Sequence, residues 1–195
     1  MKINISERIA GSLINAGAVP SEDKALYEYG IKMGLFLVIN VATAVLIGLL
    51  LEMVWQCVIF LIAYNPVRTY AGGSHASTPL ICYLVSIPMI LAVLLGIRMI
   101  PWNGYLCLII LFIAVIIIVV LAPVEDPNKP LDAREKTVYG RRARIHSAVL
   151  SGAAMMLWFA GFEQVSLSIV MALGVAAVML VLGANKNRNL LKEKA

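Results

Sequence analysis

Charge is scarce in this sequence. Asp, Glu, Lys and Arg make up 14% of its 195 residues, against about a quarter in ordinary soluble domains. With 61% hydrophobic residues and a mean hydropathy of +0.89, the chain is not composed like a soluble domain and reads as an integral membrane protein. Cysteine is scarce as well. Cys57, Cys82 and Cys107 show no paired spacing, which excludes a disulfide framework and a zinc knuckle, and neither metal nor cofactor is expected. No internal repeat can be aligned and no segment is of low complexity. The opening MKINISERIAGSLINAG lacks the apolar run and cleavage site of a signal peptide, so it is expected to be retained.

What is present is hydrocarbon in six blocks, at about 31–51, 53–64, 80–100, 104–122, 148–162 and 164–183. Four approach the roughly 20 residues that cross a bilayer as a helix. The two short blocks lengthen, the first forward to Val67 and the second back through Ala143, so six spans are the simplest count. Lys and Arg concentrate in cytoplasmic loops, and this gives an independent test. With the N-terminus inside, the inner side receives Lys2, Arg8, Lys24, Arg68, Lys129, Arg134, Lys136, Arg141, Arg142, Arg144, Lys186, Arg188, Lys192 and Lys194. The outer side receives Arg98 with Glu52 and Glu163, and Lys32 sits at the inner edge of the first span. The expectation is an all-α membrane protein of about six transmembrane helices with both termini cytoplasmic. The net charge of +5 is then a bias toward the anionic inner leaflet, and no nucleic-acid partner is required.

Ile5, Ile9 and Leu13 recur at helical spacing among polar residues, which predicts an amphipathic helix in the membrane interface. Pro20-Ser21-Glu22-Asp23 reads as a turn opening a helix that runs into the first span. The chain is expected to form one domain over 1–195, with lead-in helices at 1–30, a transmembrane bundle at 31–183 and a basic tail at 184–195. Between the fourth and fifth spans, APVEDPNKPLDAREKTVYGRRARIH begins with three prolines too close for regular helix and continues into a basic stretch.

Chemistry concentrates in NPVRTYAGGSHASTPLICYLVS, residues 65–86, at the predicted inner end of the second and third spans. Gly72-Gly73 breaks the helix arriving from the second span. Ser77 or Thr78 then suits an N-cap and Pro79 the first helical position, which places Cys82 at about the fourth. The unpaired N–H groups and positive dipole end there favour a thiolate. His75 would lie roughly 10 Å from Cys82 along one continuous helix, out of hydrogen-bonding range, so the break must fold the imidazole back toward the sulfur. A cysteine nucleophile needs such a partner to take its proton and return it to the leaving amine. Backbone N–H groups near Gly73 and Ser74 are candidates for stabilising an oxyanion.

Plainer readings exist for each residue. Cys57 and Cys107 read as small apolar fillers, a lone His at a membrane edge is commonly interfacial, and Arg68 alone is ordinary positive-inside decoration. The joint placement of Arg, helix break, His, cap and first-turn Cys is what points to catalysis.

The run RTYAGGSHASTPLICY, residues 68–83, with Tyr29-Gly30 opening the first span, six apolar segments and the proline loop from Ala122, resembles the AgrB family. These are membrane cysteine peptidases of Gram-positive quorum sensing. The resemblance implies Cys82 as nucleophile and His75 as general base and acid, with Arg68 and Gly73 supporting the site. Gly72, Ser74 and Ser86, the last one turn beyond Cys82, are further candidates for oxyanion binding or orientation. It also implies an AgrD-like propeptide as substrate, whose acidic tail departs from an acyl-enzyme thioester before a propeptide Cys or Ser closes a thiolactone or lactone ring. Lys136, Arg141, Arg142 and Arg144 would attract that tail, or simply anchor the inner leaflet. Gly152, Ala153 and Gly161 suit internal packing or a homodimer contact. Two rivals are a peptide transporter, for which Asn40, Thr43, Pro88 and Gly96 would line a path, and a non-catalytic assembly factor.

Overall fold

The computed structural model describes residues 5–17, 20–73, 78–125 and 131–193. His75 and Ser74 therefore lie outside the described residues. Within them are seven α-helices: α1 (Ile5–Asn15), α2 (Lys24–Leu50), α3 (Val54–Ala71), α4 (Pro79–Met99), α5 (Gly104–Leu121), α6 (Ala133–Phe159) and α7 (Glu163–Glu193). A single 3₁₀ turn over Ser21–Asp23 leads into α2, and the described residues contain no strand beyond one isolated bridge.

The expected α1 is present and packs on α2. Four helices, α2, α4, α5 and the Glu163–Asn189 part of α7, are long and apolar enough to cross a membrane. The other two apolar blocks are α3 and the second half of α6. Helix α6 starts 15 residues before the apolar block it contains, so the basic stretch from Arg134 to Arg144 is helical. Its start is set locally, by the Glu135 carboxylate accepting from the Asp132 N–H at 3.1 Å. Helix α7 likewise continues through the expected basic tail to Glu193.

Helix α7 is the hub. It packs against α3, α5 and α6, and α3 packs in turn on α6 and α2. Alanines at 172, 176 and 177 are buried on α7, as are Ala63 and Cys57 on α3, and such small side chains let backbones approach closely. Leu173 and Leu180 fill the space between with Phe60 and Val67. Buried hydroxyls are satisfied within this core: Ser166 Oγ donates to the Ala154 carbonyl of α6 at 2.7 Å. Helix α4 is held differently, chiefly by α2, through Thr43 and Tyr83 hydroxyls 3.0 Å apart and through Ser86 Oγ on Asn40 Oδ1 at 3.1 Å. Large apolar side chains such as Leu37, Val38, Phe112 and Val120 stay exposed on α2 and α5. In water that surface would be costly; hydrocarbon covers it without penalty.

Candidate active site: a glycine turn and a capped cysteine

Helix α3 ends where the sequence requires. Gly72 (φ 73°) and Gly73 (φ 110°) both occupy positive φ, a region closed to most side chains. Space forbids a side chain as well. A Cβ on Gly72 would collide with the Val124 carbonyl, and one on Gly73 would lie 2.7 Å from the Met179 carbonyl of α7 and 2.8 Å from the Arg68 guanidinium.

Val124 belongs to the proline-containing segment after α5. Its N–H donates to the Ala71 carbonyl at 2.9 Å and its carbonyl accepts from the Gly73 N–H at 3.2 Å, which forms the isolated Gly72–Val124 bridge. Arg68, one turn before the break, donates from Nη1 to the Gly72 carbonyl. The Tyr64 ring, one turn earlier on the same helical face, stacks on Phe60 with centroids 5.4 Å apart. Arg68 thus ties the last turn of α3 to the carbonyl exposed by the helix break.

At the same end of the bundle, α4 begins as expected. The Thr78 hydroxyl accepts from the Ile81 N–H at 3.3 Å, Pro79 is the first helical residue, and Cys82 is the fourth. Cys82 is exposed, whereas Cys57 and Cys107 are buried. Cys57 donates to the Ala44 carbonyl at 3.2 Å and serves α2–α3 packing. The C-terminal end of α3 and the N-terminal end of α4 put Tyr64, Arg68, Gly72, Gly73 and Cys82 at one end of the bundle. Sequence reasoning missed Tyr64. Its signal was its position one turn before Arg68, on the same helical face.

Ser86 has partners of its own in the helix packing. Its hydroxyl donates to Asn40 and to the Tyr83 carbonyl at 2.8 Å, contacts that fix α4 on α2. Asn40 and Thr43, candidates for lining a transport path, are likewise engaged in that helix contact. The basic cluster divides. Lys136 Nζ pairs with Glu125 Oε1 at 2.6 Å, and Arg142 stacks over the Tyr70 ring at 5.2 Å while reaching its hydroxyl at 3.4 Å. Arg141 and Arg144 are exposed. His146 packs 5.2 Å from Tyr70, with Nδ1 2.8 Å from the Arg142 carbonyl. The described residues contain no cluster of His, Cys, Asp and Glu able to hold a metal ion.

The sequence model of the Accessory gene regulator B family matches residues 6–181. The chain belongs to the AgrB family. Among individual proteins, an AgrB-like protein of Listeria monocytogenes serotype 4a (strain HCC23) is 26% identical over 162 residues, covering 82% of this chain and 79% of its own. Another, from L. monocytogenes serovar 1/2a (strain ATCC BAA-679 / EGD-e), is 27% identical over the same length and coverage. An AgrB-like protein of Clostridium perfringens (strain SM101 / Type A) is 26% identical over 140 residues, or 68% of this chain and 65% of its own. No solved structure matches significantly. The AgrB family match covers Tyr64, Arg68, both glycines and Cys82, and ends within α7.

Proposed function

We propose that this chain is a membrane cysteine peptidase that processes an AgrD-like propeptide in quorum sensing. The observation that carries the reading is the exposure of Cys82 in the first turn of a capped helix, at the same end of the bundle as a glycine turn fixed by Arg68 and Val124. Family membership supports the substrate class.

In this reading His75 removes the Cys82 proton and the thiolate attacks the scissile carbonyl. The Gly72 and Gly73 N–H groups are already bonded to the Arg68 and Val124 carbonyls, so the N–H of Ser74 is the group proposed to meet the tetrahedral oxyanion, with Arg68 fixing the turn before it. The carbon–nitrogen bond breaks, His75 returns the proton to the leaving amine, and the propeptide's acidic C-terminal tail departs. A thiol or hydroxyl within the retained peptide then attacks the acyl-enzyme thioester, which closes the ring and regenerates the Cys82 thiol. Exchange of thioester for thioester conserves bond type, so no ATP is consumed. Water must be kept from the intermediate, and a site at a membrane edge assists in that.

The orientation proposed is six spans with both termini and the site cytoplasmic, α1 lying in the interface. It is supported by the concentration of Lys and Arg at the Cys82 end, where Arg68, Lys136 and Arg142 sit, and by the sparse charge at the opposite end near Arg98. Arg141 and Arg144 are the residues proposed to attract the acidic tail, since Lys136 and Arg142 already contact Glu125 and Tyr70. Neutralising Arg141 and Arg144 together should raise KM for a tailed propeptide and leave a tail-less substrate unaffected. Unchanged KM for the tailed substrate would remove their recruiting role. The catalytic reading is tested by purified protein in nanodiscs with its cognate propeptide: wild type should release the tail, and Cys82→Ala and His75→Ala should not.

A further inference from the structure

The segment that holds the glycine turn is itself held from two other helices. Immediately after Val124, the Glu125 carbonyl accepts a hydrogen bond from Asn187 Nδ2 of α7 at 2.7 Å. The Glu125 carboxylate pairs with Lys136 in the first turn of α6 at 2.6 Å and accepts the Leu131 N–H at 3.4 Å. The chain from Ala122 to Glu125 therefore runs between α3 on one side and α6 and α7 on the other. Gly140 of α6 makes room for this course: a Cβ there would come within 3.1 Å of Pro123 Cδ. Asn187 lies beyond residue 181, where the family match ends.

We infer that Asn187 and the Glu125–Lys136 pair are positioning groups for the proposed reaction, acting through the Val124–Glu125 segment to hold Gly72-Gly73 in register with Cys82. The inference rests on the peptidase reading and names residues that reading does not use. Two features favour positioning over simple stability. The bonds converge on one peptide segment that pairs through backbone with Ala71, the last residue of α3, and with Gly73 in the turn that follows. The Lys136–Glu125 pair is also substantially exposed, and exposed pairs contribute little to global stability. An exposed pair that fixes a catalytic loop acts on rate, because a displacement of about 1 Å at a reacting centre costs up to about a hundredfold.

The test uses the full chain in nanodiscs with its cognate propeptide. Asn187→Ala, Asn187→Asp and Glu125→Lys are compared with wild type, alongside Cys82→Ala as the control for the peptidase reading. The expected result is a fall in kcat of at least about tenfold with KM changed less than about twofold. Backbone hydrogen exchange across residues 71–73 should rise in the same variants, and Tm should stay near the wild-type value. Lys136→Glu should restore kcat to Glu125→Lys by re-forming the pair in reverse. Wild-type kcat in the Asn187 and Glu125 variants, or a loss of kcat without faster exchange at 71–73, would overturn the inference. So would failure of the charge-reversed double variant to recover. If Cys82→Ala itself cleaves the propeptide, it is the peptidase reading that fails, and the exchange data still report whether the three residues hold the turn.

Discussion

The N–H of Gly73 donates to the carbonyl of Val124 at 3.2 Å, joining the end of α3 to the start of the α5–α6 connection. Two stretches distant in sequence thus form one small structure: the glycine break and the proline loop. Each is irregular for its own reason, positive φ in one and proline in the other. Because both lack helical hydrogen bonding, each supplies the backbone groups the other needs.

That pairing makes the glycines intolerant of any side chain. Gly72→Ala and Gly73→Ala each force an L-residue into positive φ and drive a Cβ onto a backbone carbonyl, of Val124 or Met179 respectively. Backbone strain of this kind costs about 1–3 kcal/mol. Both variants should lower Tm and abolish propeptide cleavage, measured by thermal unfolding and mass spectrometry. Wild-type cleavage in Gly73→Ala would contradict the described turn.

The three cysteines should separate by reactivity. A membrane-permeant thiol reagent should modify Cys82 at least about tenfold faster than Cys57 or Cys107, which are buried. Peptide mapping after brief alkylation checks this. Equal labelling of all three would be incompatible with the packing of α3 and α5.

Arg68 should not be replaceable by Lys. Its guanidinium reaches across the helix break to the Gly72 carbonyl, and an ammonium on a flexible stem is not pre-organised to hold that contact. Arg68→Lys is expected to lose at least about tenfold in kcat, with Tyr64→Phe showing a smaller loss. Steady-state kinetics on the purified protein reads both.

The Thr78 cap predicts a local stability effect. Thr78→Ala removes the acceptor for the Ile81 N–H and should destabilise the start of α4 by about 1 kcal/mol, whereas Thr78→Ser should be nearly silent. Hydrogen exchange at residues 80–83 distinguishes the two.

Glu125 gives a pH signature. The hydrogen bond from Lys136 holds its carboxyl below the usual carboxylate range, with the Leu131 N–H adding to the effect. A lowered folded-state pKa means the contribution is present above the unfolded value and is lost as pH falls through the folded one. The difference in hydrogen exchange across residues 71–73 between wild type and Glu125→Gln should therefore hold constant at neutral pH and close on strong acidification. A gap that widened with acid would contradict the pairing.

Much of the site was legible in the sequence because it depends on local rules. The Gly-Gly break, the Thr78 cap, Pro79 at the first helical position and Cys82 at the fourth all follow from residues within one turn of each other. Helix extents were harder. The start of α6 lies in a polar stretch whose helicity rests on a cap and on packing, and hydropathy sees neither. Val124, Glu125 and Asn187 reach the site through contacts between distant segments, and a single sequence carries no signal for which loop meets which helix end. Ser86, one turn beyond Cys82, bonds Asn40 of α2 as well as its own helix, a contact between helices that its spacing from Cys82 does not announce.

The most direct measurement is mass spectrometry of the purified, nanodisc-held protein incubated with its cognate propeptide, comparing wild type with Cys82→Ala and His75→Ala. The peptidase account predicts tail release and an acyl-enzyme or cyclic product from wild type, and binding without cleavage from both variants. Tail release by either variant at the wild-type rate would contradict it.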